Sequence, residues 1–253
     1  MKRATMLLGL AMALLISTAT VKAETLKVLW CTGGCCHAYT KHAPLLTEKM
    51  KQYASAEFTI VTGLDIFKKA DYADNYDAVV YDLCYAKEKG KELIGNVTGT
   101  IKKGKPTVII HCSLHTFRDI DWDDWRQAMG MTSKRHDGFR ACKTKKTADH
   151  PITKFWPEDW ETPGEELYQC IKFWDSSTAL MTIYSVQSQK DHPVTWINQY
   201  GKGKVFATTL GHNMLTVAQD DYHKLLANGL LWTAGKLDDE GNPVKGYEGT
   251  GKK

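Results

Sequence analysis

The chain has 253 residues, 43% of them hydrophobic, with eight tryptophans, enough material to build the core of one large α/β domain. Its 33 basic and 29 acidic residues give a net charge of +4, but Lys2, Arg3 and Lys22 all lie in a leader-like segment that holds no acid, so the remainder carries only +1. That balance excludes the basic footprint of a nucleic-acid binder. The clusters Lys102-Lys103-Lys105 and Lys143-Lys145-Lys146 lack interleaved aromatics and read as solvated loop faces.

Residues 1–23 read as a secretory signal. Lys2-Arg3 form a basic start, residues 6–16 are apolar, and Val21-Lys22-Ala23 places small residues at −3 and −1 of a cleavage point before Glu24. The apolar stretch is short for a membrane span, the alternative being an anchor, and no cysteine sits at the cleavage point to take a lipid. The mature chain is expected to be exported, periplasmic or extracellular, with no membrane span.

From residue 24 the chain alternates strand and helix. Residues 26–31 form the first strand, broken by Thr32-Gly33-Gly34. Pro44 suits the first turn of a helix whose Leu46, Met50 and Tyr53 share a face. Residues 58–61 and 76–84 are further strands, 87–103 a polar helix stopped at Gly104, and 107–112 a strand after Pro106. This β-α-β alternation predicts a parallel sheet with right-handed crossovers.

The second half turns β-rich. A short helix over 123–129 and a strand over 138–144 precede strands at 167–173 and 179–186. Residues 194–200 and 204–209 flank Gly201-Lys202-Gly203 as a hairpin. Residues 222–234 form the last helix, and from Leu237 the chain is polar and Gly-rich, a loose tail over 237–253. No internal repeat or linker divides residues 24–236.

Three histidines fall at strand exits. His37 follows the run Val28-Leu29-Trp30, His111 ends Val108-Ile109-Ile110, and His212 follows residues 205–211. In a parallel sheet the carboxyl ends share one edge, where ligands bind, so the three are expected to converge. Histidine titrates near neutral pH and ligates metals, which makes such a group a chemical site.

Gly33-Gly34-Cys35-Cys36-His37 lies between strand and helix, where backbone amides hold an anionic or polyhydroxyl ligand; the alternative is a tight turn with His37 facing solvent. It lacks the third spaced glycine of a dinucleotide site. In Ile110-His111-Cys112-Ser113-Leu114-His115, one reading makes Cys112 a nucleophile at a strand-to-helix elbow with His115 or another histidine as base. The elbow wants small residues two before and two after, where Ile110 and Leu114 stand. His111 as the acting residue, with Cys112 packed beside it, fits better. Glu166 precedes a strand and points into the cleft as base or orienting carboxylate, or else makes a surface salt bridge. Trp125 lies near the His111 strand end, either to stack on a sugar ring or to fill the core. In Asp149-His150-Pro151, Asp149 caps a turn.

Seven cysteines are an odd number, so at least one has no partner within the chain. Cys31, Cys84 and Cys112 end core strands and are expected to be neighbours, and Cys142 and Cys170 are positioned to pair. Cys31-x3-Cys35-Cys36 lacks the two-residue gap of redox or zinc knuckles.

Taken in order, these pieces resemble the ThuA-like, trehalose-utilisation family over residues 26–236. The match runs through Gly33-Gly34 to His37, Ile109-Ile110-His111 with Thr116-Phe117, Trp125 and His136. It continues through Asp149-His150-Pro151-Ile152-Thr153, Glu165-Glu166-Leu167-Tyr168, Pro193 to Trp196, Tyr200 to Val205, Leu210-Gly211-His212 and Gly229 to Trp232. The resemblance implies a three-layer flavodoxin-like, class I glutamine amidotransferase-like α/β sandwich, its sheet mainly parallel with antiparallel strands added in the second half. It maps the family's polar positions onto His37, His111, His136, Glu166 and His212. The chain departs from the family at Lys103-Gly104-Lys105-Pro106 and in the cysteine-rich segment 31–36.

The resemblance further implies a carbohydrate-catabolism enzyme acting on a disaccharide, glycoside or keto-glycoside. A 3-keto group acidifies the neighbouring C–H, which a poised base removes. His111 and Glu166 are the candidate acid–base groups, and His37, His136, His212, His115 and Trp125 the candidates for binding a small-molecule saccharide. Three alternatives stay open. The cleft belongs to a non-catalytic sugar-binding domain, to an amidotransferase-like Cys hydrolase, or to a centre where His37, His111 and His212 hold a divalent transition metal.

Overall fold

In the computed structural model, residues 24–251 are described; the proposed signal segment lies outside the described residues. Along β1 (Leu26–Gly34), Val28 and Trp30 face one side and Leu29 and Cys31 the other, and all four are fully buried. A strand covered on both faces needs helices above and below it. They come from α1 (Tyr39–Met50), which follows β1, and α2 (Lys91–Lys102), which lies beyond β2 (Ala56–Thr62) and β3 (Ala78–Cys84) and leads into β4 (Thr107–Ile110).

The second half contributes α3 (Asp124–Met129), β5 (Met131–His136), β6 (Arg140–Lys143) and β7 (Lys145–Lys146), then β8 (Glu161–Glu165), β9 (Tyr168–Phe173), β10 (Ser177–Ser185), β11 (Lys190–Tyr200) and β12 (Gly203–Thr208). Two helices, α4 (Met214–Val217) and α5 (Asp220–Thr233), close it. Eight strands form one sheet in the order β2-β1-β3-β4-β12-β11-β10-β7. The first five run parallel, and β11, β10 and β7 are added antiparallel. The expected three-layer α/β sandwich is therefore the fold. One layer packs Leu46 and Met50 of α1 and Leu226 and Leu230 of α5 on Val28, Trp30, Val80 and Phe206. The other packs Ile94, Val97 and Ile101 of α2 and Trp125 of α3 on Leu29, Val79, Ile109 and Val205.

Two small antiparallel pairs, β5 with β9 and β6 with β8, stand beside the carboxyl edge: β5 touches the turn after β4, and β8 touches α4. Among the described residues no helix is long and apolar enough to cross a membrane.

The structure corrects several boundaries. α1 begins at Tyr39, so Pro44 lies inside it; the buried side chains of Tyr39 and His42 hold the extra turn. α2 starts at Lys91, because a turn at 86–87 is followed by non-helical residues 88–90, where the Glu88 carboxylate accepts the Gly90 N–H at 2.6 Å. The strand expected to reach residue 112 stops at Ile110, where His111 takes a left-handed φ of 43° and opens a 3₁₀ turn, His111–His115. The tail is not loose. Tyr247 is buried in the α1/α5 layer, the Ser55 N–H donates to its carbonyl at 2.9 Å, and Thr250 N–H bonds the Lys51 carbonyl at 2.9 Å. One aromatic and a few backbone bonds anchor a segment whose composition is otherwise polar.

Candidate functional site

The strand order places the carboxyl ends of β1, β3, β4 and β12 side by side, and the three strand-exit histidines meet there. Ring centroids are 4.6 Å apart for His37 and His111, 5.1 Å for His37 and His212, and 5.5 Å for His111 and His212. His37 and His212 border a cavity of about 370 Å³ together with His115, His136, Glu166 and Tyr168, while His111 is buried beside them. The position predicted from the strand ends is thus the position found.

Each histidine is held from behind. The ring Nδ1 of His37 lies 3.0 Å from the His212 carbonyl, and that of His111 lies 2.5 Å from the Thr209 carbonyl. A carbonyl only accepts, so both Nδ1 atoms carry the proton and both Nε2 atoms keep a lone pair. Nδ1 of His212 lies 3.2 Å from a Glu166 oxygen, so its charge partner is on that side and its Nε2 is open. The ligand nitrogens of the three rings fall within 4.8 Å of one another.

The backbone is bent to achieve this. His111 sits left-handed at the strand exit, a conformation that costs a non-glycine residue free energy and concentrates at functional sites. The sharp elbow after β4 therefore exists, but the residue on it is His111. Cys112 lies one place further, buried in the cleft wall. At the β12 exit Gly211 has φ 110°, and a Cβ there would collide with the Tyr222 hydroxyl. The Glu165 carboxylate accepts the Gly211 N–H at 2.8 Å and the His212 N–H at 3.1 Å, fixing the loop that carries His212.

Charge follows from burial. His111 is driven well below the usual imidazole range by burial and by the neighbouring His37, so it is neutral. His42, beneath the site, is lowered to about 4, chiefly by burial. The Glu166 hydrogen bond and charge raise His212. Burial opposes ionisation of Glu166, yet His212, His136 and His37 together hold it below the usual carboxyl range. Glu166 and His212 form a polarised pair at the rim.

The other predicted residues divide. Nε2 of His136 lies 3.7 Å from Glu166, and His115 stacks on Tyr168 at 4.2 Å with its Nε2 3.3 Å from the Ser133 hydroxyl. Trp125 does not join them. It is buried under the 3₁₀ turn, its indole N–H on the Ser113 carbonyl and its ring against Tyr81 and Phe117, because the short α3 presents it to the core. In the 150s turn it is His150, not Asp149, whose side chain accepts a backbone N–H, from Ile152.

Sequence reasoning missed Tyr168 and Glu165. The Tyr168 hydroxyl lies 3.3 Å from His111 Nε2, and burial raises it well above the usual phenol range, so it stays a donor. The doubled acid Glu165-Glu166 was the available signal: a strand end exposes one neighbour and buries the other.

The cysteines also correct expectation. Cys35 and Cys36 form a disulfide, while Cys142 and Cys170 remain free. Cys84 and Cys112 are neighbours with sulfurs 2.8 Å apart, whereas Cys31 points into the α2 layer. The thiol of Cys112 and the charge of Arg118 lower Cys84, and the same sulfur contact and burial push Cys112 up to about 11.

Residues 27–233 match the family described as ThuA, trehalose utilisation. A protein of Parabacteroides merdae described as ThuA-like is similar at a TM-score of 0.71 and 18% identity, covering 89% of this chain and 97% of its own. A second, from Bacteroides uniformis, gives 0.67 and 16%, with 90% and 98% covered. A Thermoplasma acidophilum protein described as part of a GMP synthase gives 0.53 and 13%, with 82% and 95% covered, which relates the fold to glutamine amidotransferases. Among curated proteins none matches.

Proposed function

The chain belongs to the ThuA, trehalose-utilisation family, and on that premise we propose that it is an exported acid–base enzyme acting on a saccharide or keto-saccharide, with Glu166 and His111 at the reacting atoms. One observation carries the reading. Three imidazoles meet at the strand exits with their ligand nitrogens within 4.8 Å of one another, beside a cavity whose rim carries an ionised carboxylate.

That donor set fits a divalent transition metal. Three imidazoles with an open position are a common catalytic arrangement, and anchoring the far nitrogen fixes tautomer and ring direction. When bound, the ion would supply Lewis-acid polarisation of a sugar oxygen. The remaining work falls to side chains. Glu166, ionised at neutral pH, removes a proton from a C–H made acidic by an adjacent carbonyl. The His212 ring shares the charge of Glu166. Tyr168, a protonated phenol beside His111, offers its hydroxyl to a substrate oxygen on that face of the cavity. His136 and His115 line the wall where hydroxyls of a sugar would bind.

A panel of glycosides and 3-keto-glycosides, assayed with wild type, His111→Ala and Glu166→Gln, tests the reading. Loss of turnover in both variants is expected, and equal turnover by wild type and His111→Ala removes His111 from the mechanism. Elemental analysis of untagged protein should find stoichiometric metal that the His37→Ala/His212→Ala variant lacks. Absence of metal after reconstitution removes the ion from the reading. Tight binding of unmodified sugar without any product would make the cleft a binding site only.

A further inference from the structure

Beside the histidines lies a second cluster that acid–base chemistry does not use. Cys35 and Cys36 follow β1, Cys84 ends β3 and Cys112 lies in the turn after β4, so three adjacent strand exits deliver four sulfurs to one rim of the cavity. The ligand sulfurs of Cys35, Cys36 and Cys84 lie within 4.8 Å of one another.

The loop is built to hold them there. The Cys35 N–H donates to the Cys84 carbonyl at 3.1 Å. Gly34, at φ 104°, lies so close to β3 that a Cβ would strike that same carbonyl. Cys36 is itself left-handed at φ 85°. The Cys35–Cys36 bond is not a structural staple. Disulfides stabilise by closing loops in the unfolded chain, and one between adjacent residues closes almost none. It is also exposed, open to solution reductants.

The spacing suits an ion. Two thiolates sharing one metal at a bond length near 2.3 Å stand roughly 3.8 Å apart. The Cys35 and Cys84 sulfurs are 3.8 Å apart. Cys112, with its sulfur 2.8 Å from that of Cys84, is too close to act as an independent fourth ligand and serves as a donor to Cys84. A set of three sulfurs falls short of the four ligands of a structural zinc site, and soft thiolates favour Cu(I).

We infer that Cys35, Cys36 and Cys84 form a sulfur-only site for Cu(I), opened by reduction of the Cys35–Cys36 disulfide and separate from the histidine cluster. A dithiol supplies the two electrons and two protons that convert the disulfide to two thiols, and is itself oxidised to a disulfide. The thiols then lose their protons to solvent as the ion binds. The disulfide thus acts as a gate on the metal site.

The test is an anaerobic competition for Cu(I) between a chromogenic chelator and the full mature chain, with the disulfide intact or reduced by a phosphine. Reduced wild type should take one Cu(I) with thiolate-to-copper charge-transfer absorption in the ultraviolet, and the oxidised protein should not. Cys35→Ser/Cys36→Ser, on an exposed loop, and Cys84→Ser, checked for folding by circular dichroism, should each weaken binding by more than about a hundredfold, beyond the range of outer-shell changes. Cys170→Ser and His37→Ala/His212→Ala should keep the affinity and the absorption band. Equal binding by oxidised protein, wild-type affinity in Cys35→Ser/Cys36→Ser, loss of the site in the histidine variant, or a preference for Zn(II) over Cu(I) in the reduced protein would each overturn the assignment.

Discussion

Two buried polar clusters differ in what they leave unused. Behind β9 and β10, the Asp137 carboxylate accepts from the Gln169 amide and the Ser185 hydroxyl, each at 2.8 Å, and Ser185 in turn accepts the Ser188 N–H at 2.9 Å. His192 closes that cluster. Its Nδ1 accepts the Cys170 N–H at 3.0 Å, so its Nε2 carries the proton and bonds the Ser188 hydroxyl at 2.7 Å. Both nitrogens are consumed. In the cleft, His37 and His212 each spend Nδ1 and keep Nε2 open beside the cavity, while the Nε2 of His111 is met by the Tyr168 hydroxyl at 3.3 Å. The first cluster ties β9 to β10 and β11 of the main sheet; the second has chemical capacity to spare. Burial of titratable groups does not mark a site, whereas several anchored titratable groups bordering one cavity do.

The sharpest way to break this contrast is to neutralise one carboxylate in each cluster. Glu166→Gln should lower turnover by about 10²- to 10⁴-fold, the usual worth of a positioned acid or base. Asp137→Asn should leave turnover within about twofold. If Asp137→Asn is the dead protein while folded, the roles assigned to the clusters are reversed.

Stability should show the opposite ranking. Asp137→Ala strands the Gln169 amide and the Ser185 hydroxyl in a buried setting and should cost about 2–4 kcal/mol by denaturant melting. Glu166→Ala, at the half-open rim, should cost less than about 1 kcal/mol. A larger loss at Glu166 would mean that its contacts with His212 and His136 hold the fold together.

A smaller effect separates Glu165 from its neighbour. Burial raises Glu165 and the sheet residue Asp82 to about 7 each. As pH climbs past the ordinary carboxyl range, the unfolded chain releases these protons while the folded chain keeps them. Stability contributed by the pair therefore falls with rising pH until about 7, where the folded state ionises too. His42, lowered to about 4, acts in the opposite sense across the same window, so the readout is a difference. Wild type minus Glu165→Gln/Asp82→Asn, followed by denaturant midpoint, should decline from about pH 4.5 to about 7. A flat difference would show that neither carboxyl holds its proton in the fold.

These contrasts explain what could be read without coordinates. The strand-exit rule placed His37, His111 and His212 together because strand ends are local features and parallel topology does the rest. Trp125 failed the same logic, since a short helix after a turn can present its ring to core or cleft with no change in sequence pattern. Glu165 and Glu166 are neighbours with opposite fates, which follow from a strand end that no periodicity marks. The disulfide of Cys35 and Cys36 and the contact of Cys84 with Cys112 depend on a left-handed loop and on the order β1-β3-β4, neither of which spacing reveals.

The smallest effect expected is at Cys112, and it bears on whether the cleft has a nucleophile. An amidotransferase-like hydrolase would need a reactive thiolate on the elbow. Here His111 occupies the left-handed position. Cys112 is buried, with Ile110 and Leu114 two residues to either side, and its thiol is pushed up to about 11 by its contact with Cys84 and by burial. A protonated, shielded thiol is a poor nucleophile. Cys112→Ser should fold within about 1 kcal/mol of wild type, given the near-identical volume, and keep most of the turnover, whereas His111→Gln should lose it. Iodoacetamide at neutral pH should label Cys112 slowly in native protein. A folded but inactive serine variant, together with fast labelling of Cys112, would move the chemistry from the imidazoles to the thiol.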